Sequence, residues 1–130
     1  MPRRSGLVLY VHGARDRRWA EPFERLRDRV AAIAPEHDVA IAFLGHLAPD
    51  LPSVAAQMSR RGIDHIRVVP MFFGRGGHLR DDFPNQLGAA HAAAPSVTFE
   101  VTAAAGESPR VLDALAEFAV RAPALPESTS

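Results

Sequence analysis

Cysteine is absent from the 130-residue sequence. Without thiols the chain can form neither a disulfide framework nor a thiolate metal site, so a bound metal would need histidine, aspartate, glutamate or backbone oxygen as its ligands. Because nothing in the composition indicates an oxidising compartment, we expect a cytoplasmic protein.

An excess of charge of one sign is also missing. Fifteen arginine and lysine residues balance fifteen aspartate and glutamate residues, and the formal net charge is zero. A basic domain is attracted to the phosphates of nucleic acid whatever the base sequence, and this chain lacks the net positive charge for such an attraction. We therefore expect no nucleic-acid partner.

Long hydrophobic runs are the third absence. No run approaches the ~20 apolar residues that a membrane-spanning helix needs, and the run after Arg3 and Arg4 is too short for a secretory signal. We expect no membrane partner.

The composition, 47% hydrophobic and 23% charged, is that of a globular protein, and the length fits one domain. We predict a single domain over residues 1–121 and a flexible, proline-rich tail over 122–130.

Four apolar segments alternate with four segments of helical periodicity, which predicts an α/β fold. The nearly continuous apolar runs in the first three strands favour a parallel sheet with helices on both faces, and right-handed crossovers favour the flavodoxin-like strand order 2-1-3-4. The predicted strands are 6–13, 38–45, 65–74 and 97–104, and the predicted helices are 17–34, 51–62, 79–94 and 108–122.

The first predicted helix carries a stripe of large apolar side chains. Trp19, Phe23, Leu26, Val30 and Ile33 recur at spacings of three and four residues. Such a stripe is typical of a helix packed on a sheet, so we expect Trp19 in the core.

Two histidines follow strands that are neighbours in this strand order. His12 follows strand one, and His78 lies in the segment "GRGGHLRDD" after strand three. Ligands bind at the carboxyl ends of such strands, where the winding direction reverses. Imidazoles bind divalent first-row metals and accept protons near neutral pH. The pattern therefore predicts a metal site between the two strand ends.

Glycines and arginines in the same two segments favour an anionic ligand. The amides of Gly76 and Gly77 lie near a predicted helix start, and Arg15 and Arg80 could pair with carboxylates or phosphates. A simple phosphate-binding loop is the alternative interpretation of G-x-G-G-H. Asp81 and Asp82 fit equally well as acidic residues that favour the helix dipole.

Four segments together resemble a known family. The segments "VHGARDRRWAEPFERL", "AFLGHLAPDLP", "VVPMFFGRGGHLRDDFP" and "AAAGESPRVLDALAE" are similar to successive signature blocks of the small sirohydrochlorin cobaltochelatases, the short branch of the class II chelatases. The resemblance covers roughly residues 6–119. It implies a four-stranded parallel sheet, a homodimer, and insertion of Co2+, or of Fe2+ or Ni2+, into sirohydrochlorin on the way to cobalamin or sirohaem, without an organic cofactor.

The resemblance also assigns roles to residues. The two metal-binding histidines of the family fall on His12 and His78, which would also serve as catalytic proton acceptors when the pyrrole protons leave. Charge and position, rather than the family, favour Arg15, Arg80 and the amides of Gly76 and Gly77 for binding the substrate carboxylates.

One position departs from the family pattern. Members commonly carry a glutamate at the end of strand two, where this chain has Gly45. His46 follows, and it is a candidate additional ligand on the condition that the strand has ended by Gly45, since adjacent strand residues point to opposite faces. The loss of the carboxylate bears on metal preference and rate more than on substrate class.

Other functions fit the sequence less well. A histidine phosphatase would need arginine before His12, where Val11 stands, and an α/β-hydrolase would need a G-x-S-x-G motif that the sequence lacks. The alternative that remains is a non-catalytic carrier that binds tetrapyrrole or metal and has lost turnover together with the glutamate.

Overall fold

The computed structural model describes residues 5–74 and 77–126, and for 77–81 it describes the backbone alone. Strands and helices alternate along this part of the chain. They are β1 (Ser5–His12), α1 (Glu21–Ile33), β2 (His37–Leu44), α2 (Leu51–Arg60), β3 (His65–Pro70), α3 (Gly77–Ala93), β4 (Thr98–Val101) and α4 (Pro109–Arg121), with short 3₁₀ turns at Arg17–Ala20 and Ala105–Glu107.

The four strands form one parallel sheet in the order β2-β1-β3-β4. In its register His12 pairs with Leu44, and Tyr10 pairs with Pro70. The predicted fold and strand order are therefore confirmed. Because β1 lies between β2 and β3, the chain segments that leave these three strands meet at one edge of the sheet.

The two faces of the sheet carry separate apolar clusters, as the alternation of side chains along a strand requires. Val8 and Tyr10 of β1 belong to the larger cluster, which α2 and α3 cover. Leu9 and Val11 belong to a smaller cluster against which Phe23 of α1 packs. Helices thus cover both faces, as predicted.

Trp19 does not lie in the core, and this prediction was wrong. Its side chain is 47% exposed. The helical stripe is broken because Trp19 belongs to the 3₁₀ turn, whereas α1 begins only at Glu21. The Asp16 carboxylate caps the start of this turn by accepting from the Arg18 amide at 2.9 Å. Ile33, at the other end of the stripe, is also exposed.

Helix α4 leaves its apolar side uncovered. None of its residues is buried. The exposed apolar side chains are Val111, Leu112, Leu115, Phe118 and Val120.

The C-terminal boundary of the domain stays a prediction. Helix α4 ends at Arg121, where the predicted domain over 1–121 ends, and residues 127–130 of the predicted tail lie outside the described residues. Within 5–74 and 77–126, no helix has the length and apolar character needed to span a bilayer.

Candidate metal and substrate site

A pocket of about 310 Å³ opens where β1 and β2 end. Among the described residues, three chain segments line it, namely the end of β1, the turn after β2 and the second turn of α3. The lining residues are His12, Gly13, Leu44, Gly45, His46 and Asp82. A larger pocket of about 530 Å³ lies between α1 and β2, but its described lining contains no histidine.

The segments leaving β1 and β2 approach each other closely at Gly13. Its amide donates to the carbonyl oxygen of Leu44 at 3.0 Å. A Cβ atom at Gly13 would lie 1.6 Å from the carbonyl oxygen of Gly45. Only glycine allows this approach, and the approach brings the turn after β2 beside His12.

Strand β2 ends at Leu44, and a tight turn follows. Gly45 and His46 have φ angles of 80° and 62°, and the Leu47 amide donates to the Gly45 carbonyl oxygen at 2.7 Å. The condition set for His46 is therefore met, because the strand has ended before Gly45 and His46 lines the same pocket as His12. Its role as a metal ligand stays a prediction.

His12 is exposed, but two aromatic residues fix its position. The indole Nε1–H of Trp19 donates to the His12 carbonyl oxygen at 2.6 Å. The ring of Phe72 lies against the imidazole, with 4.5 Å between ring centroids. Sequence reasoning missed both roles, since Phe72 closes an apolar run and Trp19 fits a helical stripe.

The larger apolar cluster contains a buried phenol. Tyr10, two residues before His12, is fully buried, and its hydroxyl has no hydrogen-bond partner among the described residues. Burial raises the pKa of Tyr10, and the negative charges of Asp50 and Asp82 raise it further. The phenol therefore stays neutral at physiological pH.

The segment after β3 is anchored before it reaches the glycine-rich stretch. The Gly106 amide donates to the Phe72 carbonyl oxygen at 2.7 Å, and a Cβ atom at Gly106 would lie 2.2 Å from the Cα atom of Phe73. Helix α3 then begins at Gly77. The loop between β3 and α3 is thus attached to the turn after β4.

Several predicted site residues fall wholly or partly outside the described residues. Gly76 is not described, and for Gly77, His78 and Arg80 the backbone lies in the first turn of α3 without described side chains. Arg15 is exposed and is not among the residues that line the pocket. The assignment of all five residues, like that of His12, stays a prediction.

The described donors do not by themselves form a complete metal centre. Among the side chains that the structure describes, no three of the histidine, aspartate or glutamate residues have the spacing to hold a metal ion. His12 and His46 nevertheless bring two imidazoles to one pocket. A cation bound there would complete its coordination with water, with substrate or with a donor outside that set.

Comparison with known proteins identifies the family. The CbiX family model matches residues 6–122. The chain belongs to the CbiX family. The sirohydrochlorin cobaltochelatase of Sulfolobus acidocaldarius is 31% identical over 117 residues, which cover 90% of this CbiX protein and 91% of the relative. That of Methanothermobacter thermautotrophicus is 30% identical over 83 residues, 64% of this chain and 57% of the relative.

Solved structures agree with the fold of this CbiX chain. The CbiX protein of Marinobacter aquaeolei VT8, named for cobalamin (vitamin B12) biosynthesis, superposes with a TM-score of 0.78 at 28% identity, over 89% of this chain and 94% of that one. SirB, the sirohydrochlorin chelatase of Bacillus subtilis subspecies spizizenii in complex with cobalt, gives a TM-score of 0.69 at 23% identity. This chain spans 50% of SirB, so that likeness concerns the fold alone.

Proposed function

We propose that this protein inserts a divalent metal ion into sirohydrochlorin. Co2+ is the first candidate, with Fe2+ and Ni2+ as alternatives. The observation that carries the proposal is the match, over nine-tenths of both chains, to a protein named sirohydrochlorin cobaltochelatase. The pocket that presents His12 at the carboxyl edge of the sheet supports it, because that edge is where ligands bind in folds of this type.

Metal insertion requires a group that binds the cation and a group that accepts protons. Two pyrrole protons must leave the macrocycle as the metal enters, and a neutral imidazole can do both tasks in turn. In our proposal His12 and His78 are these groups. Positions 78 and 82 are four residues apart in α3 and therefore share a helix face. Because Asp82 lines the same pocket as His12, this spacing supports our proposal that His12 and His78 converge on one site.

Binding of the substrate is assigned to positive and amide groups around this pocket. Sirohydrochlorin is rich in carboxylates, which pair well with guanidinium groups and with amides at a helix start. We assign this role to Arg15, to Arg80 and to the amides of Gly76 and Gly77. The net charge of zero means that such pairing would be local rather than a property of the whole surface.

We also propose a cytoplasmic homodimer without an organic cofactor. A pocket of about 310 Å³ is too small to enclose a large flat macrocycle, so a second copy is needed to cover the substrate. The exposed apolar side of α4 is the candidate contact, since large exposed apolar patches mark interaction sites. Light scattering at micromolar concentration tests this, with Leu112→Glu expected to give monomers and Glu117→Gln, a polar change on α4, expected to leave the dimer intact.

The second candidate function is a non-catalytic carrier of tetrapyrrole or metal. The observation that favours it is Gly45, at the position where a carboxylate would be expected. A carrier would keep a binding pocket and lack turnover.

Metallation followed by visible absorption separates the two functions. Protein at one hundredth of the sirohydrochlorin concentration is mixed with substrate and Co2+, and the change in the macrocycle spectrum is followed against a protein-free sample. An enzyme gives a rate proportional to protein and converts all the substrate, whereas a carrier gives a change limited to the amount of protein. The proposal fails if no excess rate over the protein-free sample appears with Co2+, Fe2+ or Ni2+.

A further inference from the structure

The turn after β2 holds His46 in a backbone conformation that side-chain-bearing residues rarely adopt. Its φ angle is 62°, in the left-handed region that glycine, and less readily asparagine, aspartate and histidine, can occupy. Gly45 before it has a φ angle of 80°. Residues held in such conformations cluster at functional sites, where the surrounding structure maintains them.

Backbone contacts on both sides fix this turn. The Leu47 amide closes it on the Gly45 carbonyl oxygen at 2.7 Å, and the Phe43 amide donates to the Pro49 carbonyl oxygen at 2.8 Å. The close approach of Gly13 to Gly45 joins the turn to the end of β1. The position of His46 relative to His12 is therefore set by the backbone rather than by a flexible loop.

His46 differs from the other described histidines outside β1 in what surrounds it. The ring of His65 lies 3.2 Å from Glu100, that of His37 lies 3.8 Å from Glu36, and that of His91 packs on Phe99 with 4.6 Å between centroids. His46 is exposed and lines the pocket that also contains His12. His37 and His65 also share a pocket, of about 470 Å³, but Arg67 and Glu100 line it too and the ring of each histidine lies near a carboxylate. No described arginine or lysine lines the pocket of His12 and His46.

We propose that His46 is an additional metal ligand that works with His12, so that a second described imidazole joins the proposed pair of His12 and His78 in receiving the divalent cation. Imidazole nitrogen suits cobalt, nickel and iron, whereas carboxylate oxygen favours harder cations. A nitrogen donor in place of the carboxylate missing at Gly45 therefore favours Co2+, Ni2+ and Fe2+ over harder cations such as Mg2+. The inference deepens the proposed function. Insertion of the bound metal into sirohydrochlorin rests on the proposed function, whereas binding of the metal by His46 does not.

The test measures binding of Co2+ alone to the metal-free protein by isothermal titration calorimetry, with Ni2+ in parallel. His46→Asn removes the imidazole and keeps a residue that tolerates positive φ, and His91→Asn is the matched control on an exposed helix surface. We expect the Kd for Co2+ to rise about tenfold or more in His46→Asn, as for disturbed metal sites generally, and to stay unchanged in His91→Asn. An unchanged Kd in a folded His46→Asn protein overturns the inference.

A second variant and a second readout keep the result clear. If His46→Asn does not fold, His46→Gly serves instead, because glycine adopts positive φ freely. Paramagnetic broadening by Ni2+ should affect the imidazole signals of His12 and His46 first in a nitrogen-15 NMR spectrum, and broadening at His65 or His91 instead counts against the site. If Co2+ binds tightly in a way that depends on His46 but sirohydrochlorin is not metallated, the proposed function alone is refuted. If metallation is normal but the Kd for Co2+ does not depend on His46, this inference alone is refuted.

Discussion

The ring of Phe72 lies against the imidazole of His12, with 4.5 Å between the centroids and 49° between the planes. Phe72 is 7% exposed and also makes an edge contact with Tyr10 at 5.9 Å. The segment after β3 therefore orients a histidine at the end of β1, while Trp19 holds the carbonyl oxygen of that histidine. The orientation of His12 depends on two other parts of the chain.

Phe72→Leu should slow metallation. The shorter aliphatic side chain leaves the imidazole without its flat packing surface, and small misplacements of a reacting group can lower a rate by up to about 100-fold. We expect kcat to fall about tenfold with a smaller change in KM, measured by the spectral assay in the wild type and the variant. Phe99→Leu, which removes the ring that packs on His91, is the control, and equal rates in all three proteins would contradict the orienting role.

Gly13→Ala should be strongly destabilising. The added Cβ would lie 1.6 Å from the carbonyl oxygen of Gly45, so the turn after β2 must move away from β1. We expect a loss of about 3 kcal/mol or more in the free energy of unfolding, or failure to fold, as for the larger single-residue effects. Urea unfolding measures it. Gly88→Ala in α3 should instead stabilise by about 0.5–1 kcal/mol, because no described atom beyond the adjoining helix backbone lies within 4 Å of the new Cβ. A mild effect at Gly13 would show that the two loops do not need this contact.

Tyr10→Phe should stabilise the protein at neutral pH. The buried hydroxyl has no partner among the described residues, and a buried unsatisfied polar group costs about 1–3 kcal/mol. We expect the free energy of unfolding to rise by about 1 kcal/mol in urea unfolding at pH 7. A fall would reveal a hydrogen bond that the hydroxyl makes in solution.

The same variant should remove an alkaline loss of stability. Because the folded-state pKa of Tyr10 is raised, the phenol ionises first in the unfolded chain, which then binds fewer protons than the folded one. Stability is complete below pH ~10 and falls as the pH rises above it. The sequence contains neither lysine nor cysteine and has a single tyrosine, so few other groups titrate in this range. Urea unfolding between pH 8 and 11 should show the slope in the wild type and not in Tyr10→Phe, and identical slopes would refute the assignment.

Asp50 should stabilise the start of α2 as an N-cap. Its carboxylate accepts from the Ser53 amide at 3.0 Å, and hydrogen bonds from Ser53 hold the pKa of Asp50 below its usual value. Asp50→Ala should cost about 1 kcal/mol, measured by urea unfolding at pH 7. With a lowered folded-state pKa, the ionic part of this stability is present above the unfolded pKa near ~4 and is lost as the pH falls through the folded pKa. Asp50→Asn, which caps the helix without titrating, should keep most of the stability at pH 7 and lose the dependence of the unfolding free energy on acidic pH. Equal stability of the Asp50→Ala and Asp50→Asn variants would contradict the capping role.

Much of the fold followed from the order of apolar and amphipathic segments. Buried parallel strands must be apolar along their length, and right-handed crossovers leave few ways to arrange four of them, so the strand order and the position of His12 at a sheet edge were predictable. The sequence stated the condition on His46 but did not decide it, because the predicted strand ran to residue 45 whereas β2 ends at Leu44.

The position of Trp19 was not predictable from periodicity. A 3₁₀ turn next to an α-helix has its own spacing, so an apolar residue at helical distance can still face elsewhere. Trp19 hydrogen-bonds to the His12 carbonyl oxygen instead of packing on the sheet.

The contact of Phe72 with His12 was not predictable from the sequence for another reason. An aromatic residue at the end of an apolar run has the same sequence signal whether it fills the core or orients a functional side chain.

The role of Gly13 also needed the structure. A glycine after a strand commonly indicates a turn that requires positive φ. Here the requirement comes from the carbonyl oxygen of Gly45, a residue far along the chain, and no local pattern reveals such a contact.

A crystal structure with bound Co2+, located by its anomalous scattering, tests the central claim most directly. The account predicts one cobalt ion per subunit at the pocket between β1 and β2, bonded at about 2.1 Å to a ring nitrogen of His12 and of His78, as first-row metals bind imidazole. Cobalt bound away from His12, or rings of His12 and His78 that open into separate cavities in both the single chain and the dimer, would contradict it.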